Sequence, residues 1–193
     1  MRLLHLIRHA SPSIQPAIPS EQWVLSERGI EEAQRLATVA ATWDLRAVYS
    51  SVEPKAQATA LIIGDAVGQS VRVVDGFQEL RFDRWVANSD AFADMIRGIL
   101  GQPDVSVHGA ERAAAAAARF SVGVGIVAEG AFPAAIVSHG RVLSAYLAQL
   151  LPLEEPFAVW RSIPMPGWSC IDLDLAPKLL EPFSGLSDAS AGA

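Results

Sequence analysis

Three stretches of the chain place reactive side chains where a predicted strand gives way to a loop or helix. Arg8-His9 closes a strand read over residues 2–7, Ser50-Ser51 closes one over 47–50, and Ser138-His139-Gly140 closes a third over 134–139. In an open α/β sheet that edge is where ligands bind, and helices starting there direct free N–H groups toward an anion. A neutral imidazole, with an unperturbed pKa of about 6.5, holds a lone pair at neutral pH and can act as nucleophile, acid or base. A guanidinium keeps its charge and presents a planar fork of donors. A lone histidine at a strand end is more often a structural hydrogen-bonding residue. Arg8 beside His9, and a second imidazole at another strand end, tip the reading toward function.

Other spacings carry less. His5 and His9 are four apart, a metal-pair spacing on a helix, but on a strand about 13 Å separates them, so no metal site is expected. Gly123-x-Gly125-x-x-Ala128 formally fits the dinucleotide fingerprint, yet it follows an alanine-rich helix instead of opening one after a strand. Ser138 lacks the Gly-x-Ser-x-Gly elbow of a serine hydrolase. His108 reads equally as a surface residue or as a neighbour of a pocket. Trp23 and Trp85 lie in loops able to line one.

The strand ends need a scaffold, and short β-branched or leucine-rich runs alternating with alanine-rich helical stretches indicate an α/β fold with a largely parallel sheet. A helix capped by Ser26 runs to about Trp43, and Pro54 fits the first turn of one running to about Val67. Val71–Val74 reads as a strand. Gly76 to Gly109 reads as an irregular insertion over the sheet, with one helix at about 90–100. Residues 110–129, with six consecutive alanines, read as a packed helix, and Gly140 opens another to about Leu151. Trp168–Leu173 reads as the last strand. One domain over residues 1–183 and a disordered tail over 184–193 are expected.

The 193 residues suit a single core, and a net charge of -6 gives no electrostatic reason to expect nucleic acid or an anionic membrane as partner. Any anionic ligand must be held by local positive groups. Cys170, the single cysteine, can form no intramolecular disulfide and fits a reducing cytoplasm. The apolar run ahead of Arg8 is too short for a signal segment. The residues leave the oligomeric state open.

Taken together the motifs resemble those of a known family. Arg8-His9-Ala10-Ser11 resembles the Arg-His-Gly-x-Thr/Ser signature of the histidine phosphatases, the phosphoglycerate mutase-like superfamily, branch 1. Leu25-Ser26-x-x-Gly29 with Gln34 is similar to its helix opening, and Ser50-Ser51-x-x-Pro54-Lys55-Ala56-x-x-Thr59-Ala60 to its Ser-Ser-x-x-x-Arg-Ala-x-x-Thr-Ala segment. Glu79 with Trp85 resembles the acid-donor loop, and Ser138-His139-Gly140 the second histidine motif. The resemblance implies a three-layer α-β-α sandwich and a phosphatase acting on a small-molecule phosphate ester, with no cofactor. His9 would be the nucleophile, and Arg8 would clamp phosphate oxygens. His139 would donate to another oxygen, protonated once phosphate is bound. Ser11, Lys55 and Gly140 would complete phosphate binding. Glu79 would protonate the leaving oxygen, a role that asks for a raised pKa, with Glu53 and Asp83 as rivals.

Departures qualify the resemblance. Lys55 replaces the usual arginine, giving a point charge in place of a fork. Ala10 replaces glycine and adds a methyl group beside the nucleophile. Asp83 stands where glycine is frequent, and Val86-Ala87 replaces Glu-Gly. Hydrolysis is therefore weighed against mutase-type phosphoryl transfer, which the modest 76–109 insertion disfavours, and against a phospho-ligand binding protein with little turnover.

Overall fold

The structure is a computed structural model that describes residues 1–82, 84–151, 155–174 and 177–189. Strand β1 (Leu3–Arg8) leads to helix α1 (Glu27–Ala40), β2 (Ala47–Ser50), α2 (Pro54–Val67) and β3 (Val71–Val73). Then come α3 (Ser89–Gly101), α4 (Ala113–Ala128), β4 (Ala134–Ser138), α5 (Gly140–Leu150) and α6 (Pro156–Ser162). The chain closes with β5 (Gly167–Asp172), β6 (Lys178–Gly185) and α7 (Leu186–Ala189). Among the described residues the strands form one six-stranded sheet in the order β3-β2-β4-β1-β5-β6. The first four run parallel, and β5 and β6 are antiparallel at one edge.

Strand alternation divides the core into two layers. Leu4 and Leu6 of β1, Tyr49 of β2, and Ala134 and Ile136 of β4 pack with the helices α3 to α6. Ile7, Val48, Ala135 and Val137 pack on the other face against Leu36 and Ala40 of α1 and Ala60 and Ile63 of α2. The result is a three-layer α-β-α sandwich, as the family resemblance implied, around the largely parallel sheet that the patterning indicated. Helix starts follow local chemistry: Ser26 Oγ accepts from Gly29 N at 3.0 Å, and Pro54 takes the first turn of α2. Gly123 sits inside α4, where an added Cβ would come 2.5 Å from the Phe77 ring. That packing accounts for a glycine that sequence alone could assign to a nucleotide fingerprint.

Three expectations are corrected. The first helix stops at Ala40, not near Trp43, and the Trp43 indole stacks on the His5 ring with centroids 4.3 Å apart. A further strand, β6, follows the one expected to be last. It contains Pro182, which argues against a strand on sequence grounds, but β6 is an edge strand paired only to β5 with register shifts, where proline is tolerated. The tail expected from Ser184 instead continues β6 through Gly185 and then forms α7. Gly185 lies buried over Pro164, and Leu186 packs on the α1–α2 side of the sheet. Residues 190–193 lie outside the described residues, as does Asp83. No described helix is long and apolar enough to cross a membrane.

Candidate active site

Register brings the three motifs to one edge. Arg8 pairs with Ser138 and Ser50 with Val137, so β1, β2 and β4 end level with one another. Hydrogen bonds extend the ladder one residue beyond: His9 N donates to Ser138 O at 3.0 Å and Ser51 N to Val137 O at 2.9 Å. The two imidazoles therefore leave adjacent parallel strands together. Their centroids lie 5.1 Å apart in an edge-on arrangement, and both side chains are buried.

The tautomer of His9 follows from its neighbour. Its Nδ1 lies 2.7 Å from the Ala10 carbonyl oxygen, which can only accept, so Nδ1 carries the proton. Burial, reinforced by His139 and Lys55 and opposed by the Ala10 carbonyl, holds the ring's pKa well below the usual histidine value. The neutral ring thus keeps its lone pair on Nε2. Ala10 itself is buried with Leu25 and Ala33, and its N–H donates to Thr59 Oγ1 at 3.2 Å. The added methyl group is absorbed by that small cluster.

His139, between β4 and α5, is held against the β2–α2 loop. Its Nε2 lies 2.8 Å from Ser51 Oγ and 3.4 Å from Glu53 Oε1. Burial lowers its pKa as well, against the opposing pull of Glu79. Lys55 is buried too, and its Nζ donates to Ser20 O at 2.7 Å and to Glu53 Oε2. Arg8 donates from one terminal nitrogen to Ile163 O at 2.8 Å. Its Nε and the Nδ1 of His139 are buried polar atoms with no hydrogen-bond partner among the described residues. Gly140 leaves room for that guanidinium, since a Cβ there would meet Arg8 Nε at 3.2 Å.

Glu79 does reach the site, but its charge state departs from expectation. Burial pushes its carboxyl upward. Arg141, whose Nε lies 3.2 Å from Oε2, then His139 and the N–H groups of Val142 and Leu80 outweigh that and hold it at about 2. The carboxylate caps α5, accepting from Val142 N at 2.9 Å and Arg141 N at 3.3 Å. The loop that carries it is fixed by Arg119 of α4, which donates to the carbonyls of Gly76, Gln78 and Glu79 at 2.7, 2.7 and 2.9 Å.

Ser11 is fastened to α1. Its N–H donates to Glu32 Oε2 at 3.0 Å, and its carbonyl accepts from Ser26 N at 3.0 Å. Gly29 permits this, because a Cβ there would overlap the Ser11 carbonyl oxygen at 2.0 Å. His108 lies exposed in a short 3₁₀ turn, Val107–Gly109. Sequence reasoning named Glu53 only as a rival and did not single out Arg141 or Arg119. A faint signal existed for each: Arg141 begins the helix after His139-Gly140, and Arg119 is the one charged residue of an otherwise apolar helix.

A sandwich whose strand ends bring two imidazoles and a partly buried guanidinium together has the architecture of the phosphoglycerate mutase-like proteins. The sequence profile of the histidine phosphatase superfamily (branch 1) matches residues 4–178, and the chain belongs to that superfamily. Among solved structures, a protein described as mycobacterial hydrolase 1 superposes with a TM-score of 0.77 at 22% identity, covering 95% of this chain and 99% of that one. A mycobacterial glucosyl-3-phosphoglycerate phosphatase gives 0.71 at 25% identity, covering 93% and 97%. A phosphoserine phosphatase from Entamoeba histolytica, in complex with 3-phosphoglyceric acid, gives 0.74 at 20% identity, covering 96% and 98%. No curated protein matches the sequence significantly.

Proposed function

We propose that the chain hydrolyses a small phosphate monoester through a phosphohistidine on His9. The observation that carries this reading is the His9 tautomer: the Ala10 carbonyl claims Nδ1–H, leaving a neutral ring with a nucleophilic Nε2 beside His139. Nε2 attacks phosphorus in line, the P–O bond to the organic group breaks with its electron pair, and the alkoxide takes up a proton. Water then cleaves the P–N bond, releasing inorganic phosphate and restoring His9. Arg8 Nε and His139 Nδ1 suit the equatorial oxygens, because a buried polar nitrogen left unpaired is costly and an oxyanion satisfies a donor.

Glu79 enters this cycle ionised. A phosphate monoester has a second pKa of about 6, so a share of the substrate arrives as the monoanion. Beside the incoming oxyanion the Glu79 carboxyl shifts upward, receives that proton, delivers it to the leaving oxygen and later takes one from water. The mycobacterial and amoebal relatives are named for phosphoester hydrolysis, which supports hydrolysis over phosphoryl return.

Incubation with p-nitrophenyl phosphate, quenched within the first turnover, should leave an acid-labile, base-stable phosphoryl group on His9. The His9→Ala variant should lose turnover by roughly three orders of magnitude or more, as removal of a covalent nucleophile does. Turnover by that variant at the parent's rate would overturn the assignment.

A further inference from the structure

A cleft of about 280 Å³ has an apolar wall of Ile14, Trp23, Phe82, Trp85, Val86 and Phe92, and its polar lining is two serines, Ser20 and Ser89, and two arginines, Arg84 and Arg141. Two residues belong both to it and to the phosphate site. Arg141 lines the cleft while its Nε meets Glu79 at 3.2 Å, and Ser20 lines it while its carbonyl holds the Lys55 ammonium at 2.7 Å. An ester whose phosphorus stands at His9 therefore has this cleft as the neighbouring space for its organic group.

The lining sets what that group is. The Trp23 and Trp85 indoles meet edge to face with centroids 5.9 Å apart. Trp23 commits its Nε1–H to the Gln15 carbonyl at 3.0 Å and so offers the cleft only its ring. Trp85, at 50% exposure, and Ile14, at 60%, keep large apolar surface open to water. Arg141 is already engaged by Glu79, and Arg84, the other cation here, is exposed. The polar groups of the lining are the engaged Arg141, the solvent-exposed Arg84 and Ser89, and Ser20, so a polyhydroxylated or carboxylated substrate would give up water mostly for ring and aliphatic surface, whereas an aryl or arylalkyl group would bury apolar surface against rings that favour edge or offset contacts. The volume stands near the small end of ligand pockets, which run from about 300 to 1,000 Å³, and suits one ring system.

We infer that this cleft is the leaving-group pocket and selects phosphate monoesters of aromatic or arylalkyl alcohols over those of sugar acids and polyols. The inference rests on the hydrolase reading above. Alkyl esters test it with only small differences in leaving-group basicity, and those favour the polyol esters: 2-phenylethyl phosphate against glycerol 3-phosphate and 3-phosphoglycerate. The kcat/KM ratio should favour the phenylethyl ester by roughly tenfold or more, the scale on which apolar pockets discriminate, and Trp85→Ala should collapse that ratio while Trp85→Phe keeps its sign. A ratio near one, or one favouring the polyol esters, overturns the inference and leaves the hydrolase reading intact. Non-hydrolysable probes separate the two readings: 2-phenylethylphosphonate should bind the parent protein at least about tenfold more tightly than methylphosphonate by indole fluorescence. That preference, lost in Trp85→Ala, supports the pocket even if every ester resists turnover. Equal affinity for the two phosphonates overturns it.

Discussion

The Glu53 carboxylate stands 3.4 Å from Nε2 of His139 while its other oxygen holds the ammonium of Lys55. All three side chains are buried, so the Glu53 carboxylate is placed to balance the Lys55 charge beside His139. Lys55 bears on both imidazoles and favours their neutral forms. Glu53 restrains that cation and offers His139 an acceptor.

Replacing Glu53 with glutamine leaves Lys55 buried beside a neutral amide. Breaking a buried pair in this way costs about 3–5 kcal/mol. An anion bound in the cavity would compensate the orphaned charge, so inorganic phosphate should raise the melting temperature of Glu53→Gln more than that of the parent. Thermal unfolding with and without phosphate checks this, and equal shifts would show that Lys55 does not face the anion.

The converse change is Lys55→Arg. A guanidinium can keep Glu53 on one edge and present the other to phosphate, which a single ammonium already shared between Glu53 and Ser20 cannot do. The inhibition constant for inorganic phosphate should fall by roughly tenfold, about the energy of one charge-assisted hydrogen bond. An unchanged or higher constant would mean that the fork is not presented to the oxyanion.

Much of this arrangement was legible beforehand because strand ends are local events. His9 and His139 end short apolar runs, and parallel register carries such ends to one edge whatever lies between. Pro54 and Ser26 marked helix starts for equally local reasons. What escaped depends on partners distant in sequence. The low pKa of Glu79 arises from Arg141, sixty-two positions away. The role of Arg119 depends on carbonyls about forty residues earlier. Strand β6 exists because β5 offers an open edge, and no period within Lys178–Gly185 announces that.

Glu79 owes its low pKa chiefly to Arg141, since burial alone would raise it. In Arg141→Met the carboxyl should climb from about 2 through the ordinary carboxylate range. If Glu79 carries the leaving-group proton, the acidic limb of the kcat/KM profile should move up by roughly one pH unit or more. A limb that stays put would remove Glu79 from that role and turn attention to Glu53.

Gly140 offers a test in which stability and affinity move in opposite directions. Alanine in the first turn of α5 adds helix propensity worth up to about 1 kcal/mol. Its Cβ would meet Arg8 Nε at 3.2 Å and Cζ at 3.3 Å, tighter than ordinary contact, so the guanidinium must yield. Gly140→Ala should therefore melt no lower than the parent while its KM for phosphate esters rises several-fold, or roughly 1 kcal/mol of lost phosphate contact. An unchanged KM would show that Arg8 does not hold the phosphate.

His5 separates the burial of imidazoles from their chemistry. It lies in β1, stacked on Trp43, and its Nδ1 has no hydrogen-bond partner among the described residues. Burial lowers its pKa to about 4. The unfolded chain binds the proton first as pH falls below about 6.5, so His5 subtracts stability between that pH and about 4, and adds no further loss below it. The slope across the window is about 1.4 kcal/mol per pH unit for each such histidine, or roughly 3 kcal/mol in all. His5→Phe keeps a ring on Trp43 and removes the titration. Denaturant unfolding at pH 7 and pH 5 should show a smaller loss on acidification for the variant than for the parent, by about 2 kcal/mol. Equal losses would place the ring of His5 within reach of water in the folded protein, and the acid sensitivity would then belong to His9 and His139, whose pKa values are lowered in the same direction.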